Sequence, residues 1–153
     1  LMATIEQVQA RLNALINNLS PQARQQLARR IGQQLRKSQQ ARIARQQNPD
    51  GSKYEPRKQQ KLRRKKGRVK RRAMFAKLKT ARFLKIRTNA NEATIGFTGS
   101  AADIATIHQY GLSAKPTKNA NYKVQYAQRE LLGFTDEDVE IIENLVLEQL
   151  SQN

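Results

Sequence analysis

His108 is the only histidine among the 153 residues, and there is no cysteine. An imidazole does acid–base or nucleophile-activating work only when partners of the right kind converge on it. Asp103, five residues back, and Glu92, in a turn-like stretch, sit at spacings that build neither a catalytic triad nor a metal set. His108 therefore reads as a structural, hydrogen-bonding residue. The missing cysteine removes disulfides, thiolate zinc sites and cysteine nucleophiles. Gly96-Phe97-Thr98-Gly99 has the G-x-x-G form of a phosphate-approaching RNA-binding loop, but such a loop joins two helices and this one follows a strand-like run. It reads as a strand-end turn. No P-loop and no dinucleotide fingerprint occurs, so no cofactor is expected. A metal-dependent nuclease would need converging carboxylates, and Asp136, Glu137 and Asp138 are accounted for by the start of a helix, whose dipole and unpaired N–H groups favour negative charge. The expectation is a protein that is not an enzyme.

The remaining chemistry is electrostatic. Lys61, Arg63, Arg64, Lys65, Lys66, Arg68, Lys70, Arg71 and Arg72 crowd into twelve residues and form the candidate basic contact surface. A run of this kind contacts phosphates nonspecifically, docks on an acidic protein surface, or stays solvated. It lacks interleaved aromatic residues, so it offers no stacking platform for single strands. The wider charge distribution is polar along the chain. The net charge is +17, made of +7 over residues 1–48, +15 over 49–87, +2 over 88–129 and −7 over 130–153, where no Lys or Arg occurs. The chain is a basic body with an acidic end.

The elements that position these groups follow from periodicity. Ile5, Val8, Leu12, Leu15, Ile16 and Leu19 predict an amphipathic helix, and Ser20-Pro21 reads as N-cap and first position of a second one carrying Leu27, Ile31 and Leu35. Beyond Leu35 the apolar stripe thins to Ile43, so the distal half of that helix is expected to fray unless a partner covers it. Asn48-Pro49-Asp50-Gly51-Ser52 is a turn, because Pro presets φ and Gly supplies a positive φ. Residues 49–72 then form a basic arm with too few apolar groups to offset ordering entropy alone. A short helix is predicted from Ala73 to Leu78. Leu84 with Ile86 and Ile95 with Phe97 alternate around Asn89-Ala90-Asn91-Glu92, predicting a β-hairpin over 83–98. A helix over 101–109 stops at Gly111, and Tyr122, Val124 and Tyr126 predict a third strand completing the sheet. Thr135 caps a final helix carrying Val139, Ile142, Leu145, Val146 and Leu150. The fold class is α+β in a single domain, 1–153: an N-terminal helical hairpin over 1–48, the arm over 49–72, a helix and small antiparallel β-sheet over 73–129, and an acidic C-terminal helix over 130–153. No apolar run approaches the roughly 20 residues needed to span a bilayer, and Leu1 to Glu6 lack the pattern of a signal peptide, so a soluble protein made in the cytoplasm is expected.

Several separated segments together carry a resemblance. They are the amphipathic N-terminal helices, Asn48 to Ser52 with Tyr54 and Pro56, Ile95-Gly96-Phe97-Thr98-Gly99, Ile107-His108-Gln109-Tyr110-Gly111, and Arg129-Glu130-Leu131-Leu132-Gly133-Phe134 leading into Thr135-Asp136-Glu137-Asp138. In this order, over nearly the whole chain, the sequence resembles the phage virion morphogenesis family, which includes tail-completion proteins of temperate contractile-tailed phages and relatives in Mu-like phages. The resemblance implies a structural protein of the virion tail or neck that completes the tail and prepares its head-proximal end for joining to the capsid. It implies copies of the chain arranged in a ring around the tail axis, with six-fold symmetry, and partners among tail tube, sheath or terminator proteins and neck or connector proteins, with packaged DNA as a further contact of the arm. Opposite charge at the two ends of the chain would favour head-to-tail closure of such a ring. Asp136, Glu137, Asp138, Glu140 and Glu143 are accordingly the candidate subunit-interface residues. The reading from a different class is a basic nucleic-acid-binding protein that contacts phosphates nonspecifically.

Overall fold

The computed structural model describes residues 14, 16–57 and 73–151. Most of the helix predicted over the first nineteen residues lies outside the described residues, as do the nine candidate basic residues of the arm. What is described is α+β: helix α1 (Pro21–Ala44), strands β1 (Leu84–Thr88) and β2 (Ala93–Phe97), helix α2 (Ser100–Tyr110), strands β3 (Ser113–Ala114) and β4 (Val124–Gln125), and helix α3 (Asp136–Ser151).

Helix α1 is the spine. Ser20 caps it by accepting a hydrogen bond from the backbone of Ala23, with Pro21 in the first turn. Helix α3 lies antiparallel along it, since Ser38 meets Asp138 while Arg30 meets Glu148 and Gln149. Leu19, Ala23 and Leu27 pack there against Leu145 and Val146, with Ile31, Ile141, Ile142 and Leu150 at the margin. The β1–β2 hairpin packs on another side of α1, where Gly32 stands. A Cβ on Gly32 would sit 3.4 Å from both Ile86 Cδ1 and Thr88 Cγ2, at the near edge of ordinary van der Waals contact, so strand and helix approach closely here. At 3.6 residues per turn, Gly32 is displaced by roughly 120–180° around the helix from Ser38, Leu27 and Ala23. Hairpin and α3 thus occupy nearly opposite flanks of the spine.

The hairpin register pairs Leu84 with Phe97, Ile86 with Ile95 and Thr88 with Ala93 on the inner face, and Lys85 with Gly96 and Arg87 with Thr94 on the outer one. A second core gathers beyond the distal end of α1, where Ile43, Tyr54, Leu78, Ala101, Ala105 and Leu131 are buried together, flanked by Met74, Phe75, Phe83 and Phe97.

Three expectations are corrected. The distal half of α1 does not fray: Gln39, Arg42 and Ile43 are 1%, 2% and 0% exposed. The apolar stripe thins there because hydrogen bonds take over from hydrophobic contact. Residues 74–79 form turns and no helix, with Phe75 at φ +65°, a left-handed conformation that breaks helical propagation. The third strand does not complete the sheet; β4 pairs instead with β3 in a separate two-stranded ladder, Ser113 opposite Gln125 and Ala114 opposite Val124. The hairpin itself, the stop of α2 at left-handed Gly111 and the start of α3 after Thr135 stand as read.

Candidate functional site: a polar hub and two charged faces

Three of the other segments that carry the family resemblance, those containing Gln39, Asn48 with Tyr54, and Gln109, meet the extended stretch Arg129–Gly133. From Glu130 to Gly133 each backbone group is taken by a side chain from elsewhere in the chain. Asn48 Oδ1 accepts from the Glu130 N–H at 2.8 Å, and the Tyr54 hydroxyl donates to the Glu130 carbonyl at 2.8 Å. Gln109 on α2 accepts from the N–H groups of Leu131 and Leu132 at 2.8 and 3.0 Å and donates to the Leu132 carbonyl at 2.9 Å. Gln39 on α1 accepts from the Gly133 N–H at 3.2 Å and donates to its carbonyl at 3.0 Å. A carboxamide carries one donor group and one acceptor on adjacent atoms, so it can replace a neighbouring strand as backbone partner.

Two buried guanidinium groups complete the hub. Arg42 donates to the Leu131 carbonyl at 2.7 Å, the Gly133 carbonyl at 3.3 Å and Gln39 Oε1 at 2.8 Å. Burial pulls its pKa below the ordinary arginine value, while the negative end of the α1 dipole, in whose last turn it stands, favours the cation. Arg129 donates to the carbonyls of Glu55 and Pro56 at 2.8 and 3.2 Å, and its own N–H donates to the His108 carbonyl at 2.7 Å. Gln46, itself at φ +57°, accepts from the Met74 N–H at 2.9 Å and donates to the Met74 carbonyl at 2.8 Å. The flanks of the stretch 58–72 are therefore both pinned at the hub, one by Arg129 and the other by Gln46.

The His108 side chain packs among aromatic rings. Its ring meets Phe75 and Tyr126 edge-on, with centroids 4.8 and 5.2 Å away, and Phe75 in turn meets Tyr54 at 5.6 Å. The His108 Nδ1 atom lies 3.2 Å from an Arg129 Nη atom, which makes it the acceptor and the imidazole neutral. Burial first, then the charges of Arg129 and Arg57, lower its pKa to about 4. Burial likewise pushes the Tyr54 phenol up to about 12, so it remains a donor.

The His108 shift has a pH consequence. As pH falls below about 6.5, the unfolded chain takes up a proton that the folded chain refuses until about pH 4, so this share of the stability is complete above pH 6.5 and is lost toward pH 4. After allowance for solvent screening it amounts to about 1–2 kcal/mol. Urea unfolding midpoints at pH 7 and pH 4.5 are expected to differ more for the parent chain than for His108→Asn; equal differences in the two proteins would contradict the account.

The candidate interface carboxylates divide. Asp138 is 1% exposed: its carboxylate accepts from the Ser38 hydroxyl and, at 3.0 Å, from the Thr135 N–H, while Thr135 Oγ1 accepts from the Asp138 N–H at 3.1 Å. This reciprocal cap starts α3 and ties it to α1, so Asp138 faces the subunit's own interior. Asp136, Glu137 and Glu140 are exposed on the flank of α3 away from α1, and Glu143 is half-buried beside them. On the far flank of α1 the hairpin turns out Lys85 and Arg87, a described basic face that the periodicity reading did not single out. Strand alternation places both on the face opposite the buried Leu84, which is the signal that identifies them. Gly96 lies within β2 and Gly99, at φ +64°, precedes α2, so the G-x-x-G stretch is a strand-to-helix turn. Among the described residues no three His, Asp or Glu side chains gather in a metal-binding group, and no helix is long and apolar enough to cross a membrane.

A polar interior engaged with its own backbone, carrying charged faces of opposite sign outward, is the build of a component that assembles with other proteins. The comparisons agree: the phage virion morphogenesis family matches residues 3–151, and the chain belongs to that family. It is also 45% identical, over 99% of its own length and 100% of the relative's, to tail completion protein S of Escherichia phage P2. No solved structure gives a significant match.

Proposed function

We propose that this chain completes the phage tail and prepares its head-proximal end for joining to the capsid or neck, by self-assembly of copies into a ring around the tail axis. The observation that carries the reading is the 45% identity across the full length of the phage P2 tail completion protein. Its working place is the virion tail or neck after assembly in the host cytoplasm, and its partners are tail proteins, connector proteins and further copies of itself, six-fold in arrangement. The hub supports this reading physically. It holds Glu55 and Pro56 through Arg129 and Met74 through Gln46, and the basic sequence from Lys61 to Arg72 is the proposed contact for an acidic tail or neck protein or for packaged DNA.

The test is complementation in extract. Tails made by a phage lacking this chain are expected to fail to join filled heads, and adding the purified protein is expected to restore infectious particles. Normal infectious yield without the chain would overturn the proposal.

A further inference from the structure

The spine arrangement turns two faces of opposite charge away from α1 on nearly opposite flanks. On one flank the outer face of the hairpin carries Lys85 and Arg87, both exposed, opposite the small residues Gly96 and Thr94, and neither β1 nor β2 contains an acid. On the other flank the outer face of α3 carries Asp136, Glu137 and Glu140, with the 57% exposed Leu147 one heptad beyond Glu140, and α3 contains no Lys or Arg. Among the described residues, Lys85, Arg87, Asp136 and Glu140 have no ion-pair partner within the subunit.

The spacings also match. Alternate residues of a strand stand about 6.6 Å apart on one face, and residues four apart in a helix are separated by about 6 Å along its axis. Lys85 with Arg87 and Asp136 with Glu140 are thus two pairs of opposite sign at nearly equal spacing. The outer hairpin face, with only Gly96 and Thr94 opposite the cations, leaves room for a helix to lie across it.

We infer that the outer face of the β1–β2 hairpin receives the outer face of α3 from a second copy of this chain. Such a contact is heterologous, each copy giving one face and receiving on the other, so it propagates from copy to copy and forms a ring when the rotation between copies closes. This inference rests on the self-assembly reading above and names its contact. Because the charges are exposed, the contact weakens as salt screens them.

The experiment reads mass in solution by light scattering, without tails, so its failure is distinguishable from failure of tail completion in extract. The parent chain is expected to form an oligomer at 50 mM salt that loses mass at 500 mM. Lys85→Glu with Arg87→Glu leaves both faces acidic, and Asp136→Lys with Glu140→Lys leaves both basic, so each double variant alone is expected to be monomeric. Mixed in equal amounts, or combined as four changes in one chain, the reversed faces become complementary again and the oligomer is expected to return. Return on mixing also shows that the variants fold, which circular dichroism melting checks independently. A parent chain that is monomeric at every salt and concentration overturns the inference, as does unchanged mass in either double variant or no recovery in mixture and combined chain alike. If the hairpin variant keeps its mass but loses affinity for mixed-sequence duplex DNA, that face is a phosphate-contact surface and the inference fails.

Discussion

Replacing Arg42 by methionine is expected to destabilise the protein by about 3 kcal/mol and to lower its melting temperature by about 10 °C. Methionine keeps an unbranched apolar stem in place of the arginine stem, so the loss is chiefly that of hydrogen bonds. The Leu131 carbonyl loses the 2.7 Å charged donor, and Gln39 loses the contact that fixes its carboxamide. A buried carbonyl without a donor costs about 1–3 kcal/mol, and bonds to a charged group lie at the upper end of the range. One opposing effect tempers the total: the Arg42 Nε atom is buried without a partner, so the parent chain already carries part of a desolvation penalty that the variant escapes. Arg42→Lys keeps the charge but not the planar fork, and should recover only a minor part. Chemical denaturation of the three proteins decides the matter; a methionine variant within 1 kcal/mol of the parent would mean that the carbonyls do not depend on Arg42.

Gly133→Ala is the second large effect, expected near 3 kcal/mol. Its Cβ would come within 2.4 Å of Pro49 Cγ and 3.0 Å of Pro49 Cβ. A proline ring cannot swing aside, and the turn that holds it is closed by the Gly51 N–H donating to the Asn48 carbonyl at 2.9 Å and the Ser52 N–H donating to Asp50 Oδ1 at 2.9 Å. Moving the turn would also draw Asn48 from the Glu130 N–H, while moving Gly133 would draw it from Gln39. Either relaxation breaks the hub. Pro49→Ala on its own should be mild, and in combination with Gly133→Ala it should recover most of the loss. A simple sum of the two single effects would show that the ring is not the obstacle.

These two residues mark where the sequence was and was not legible. The start of α3 could be read because capping is local: Thr135 and Asp138 are three residues apart and satisfy one another. The hairpin could be read because alternation and turn chemistry lie within sixteen residues. Arg42, Gln39, Gln46 and Gln109 could not be assigned from periodicity, since a glutamine among glutamines looks like solvent-facing helix bias, and its partner lies far along the chain. The same blindness produced the expectation of a frayed distal α1, because hydropathy does not register burial achieved by polar groups. Phe75 was misread for another reason. Its short apolar neighbourhood fits a helix, but the ring is drawn between Tyr54 and His108, and the backbone takes a positive φ to deliver it there. The segments that carry the resemblance, by contrast, include Asn48, Tyr54, Gln109 and Arg129, all of which bond within the hub. Of the candidate contact residues, the exposed positions of Asp136, Glu137 and Glu140 follow from helical phase, whereas the interior role of Asp138 follows from its capping distance to Thr135.

The clamp between Gln39 and Gly133 spans 94 residues of chain, and the one between Tyr54 and Glu130 spans 76. Closing such long loops is entropically slow, so these bonds belong to the late stages of folding. Synthesis runs from the N-terminus at about 5–20 residues per second, which places Gly133 roughly 5–20 s behind Gln39 on the ribosome. Until then Arg42 and Gln39 have no carbonyl or N–H of this stretch to bind, Arg129 does not yet hold one flank of the basic stretch, and the acidic helix does not exist. A nascent chain therefore carries the basic hairpin face before the acidic one exists, and the two belong to one folded unit only after the last helix has been made.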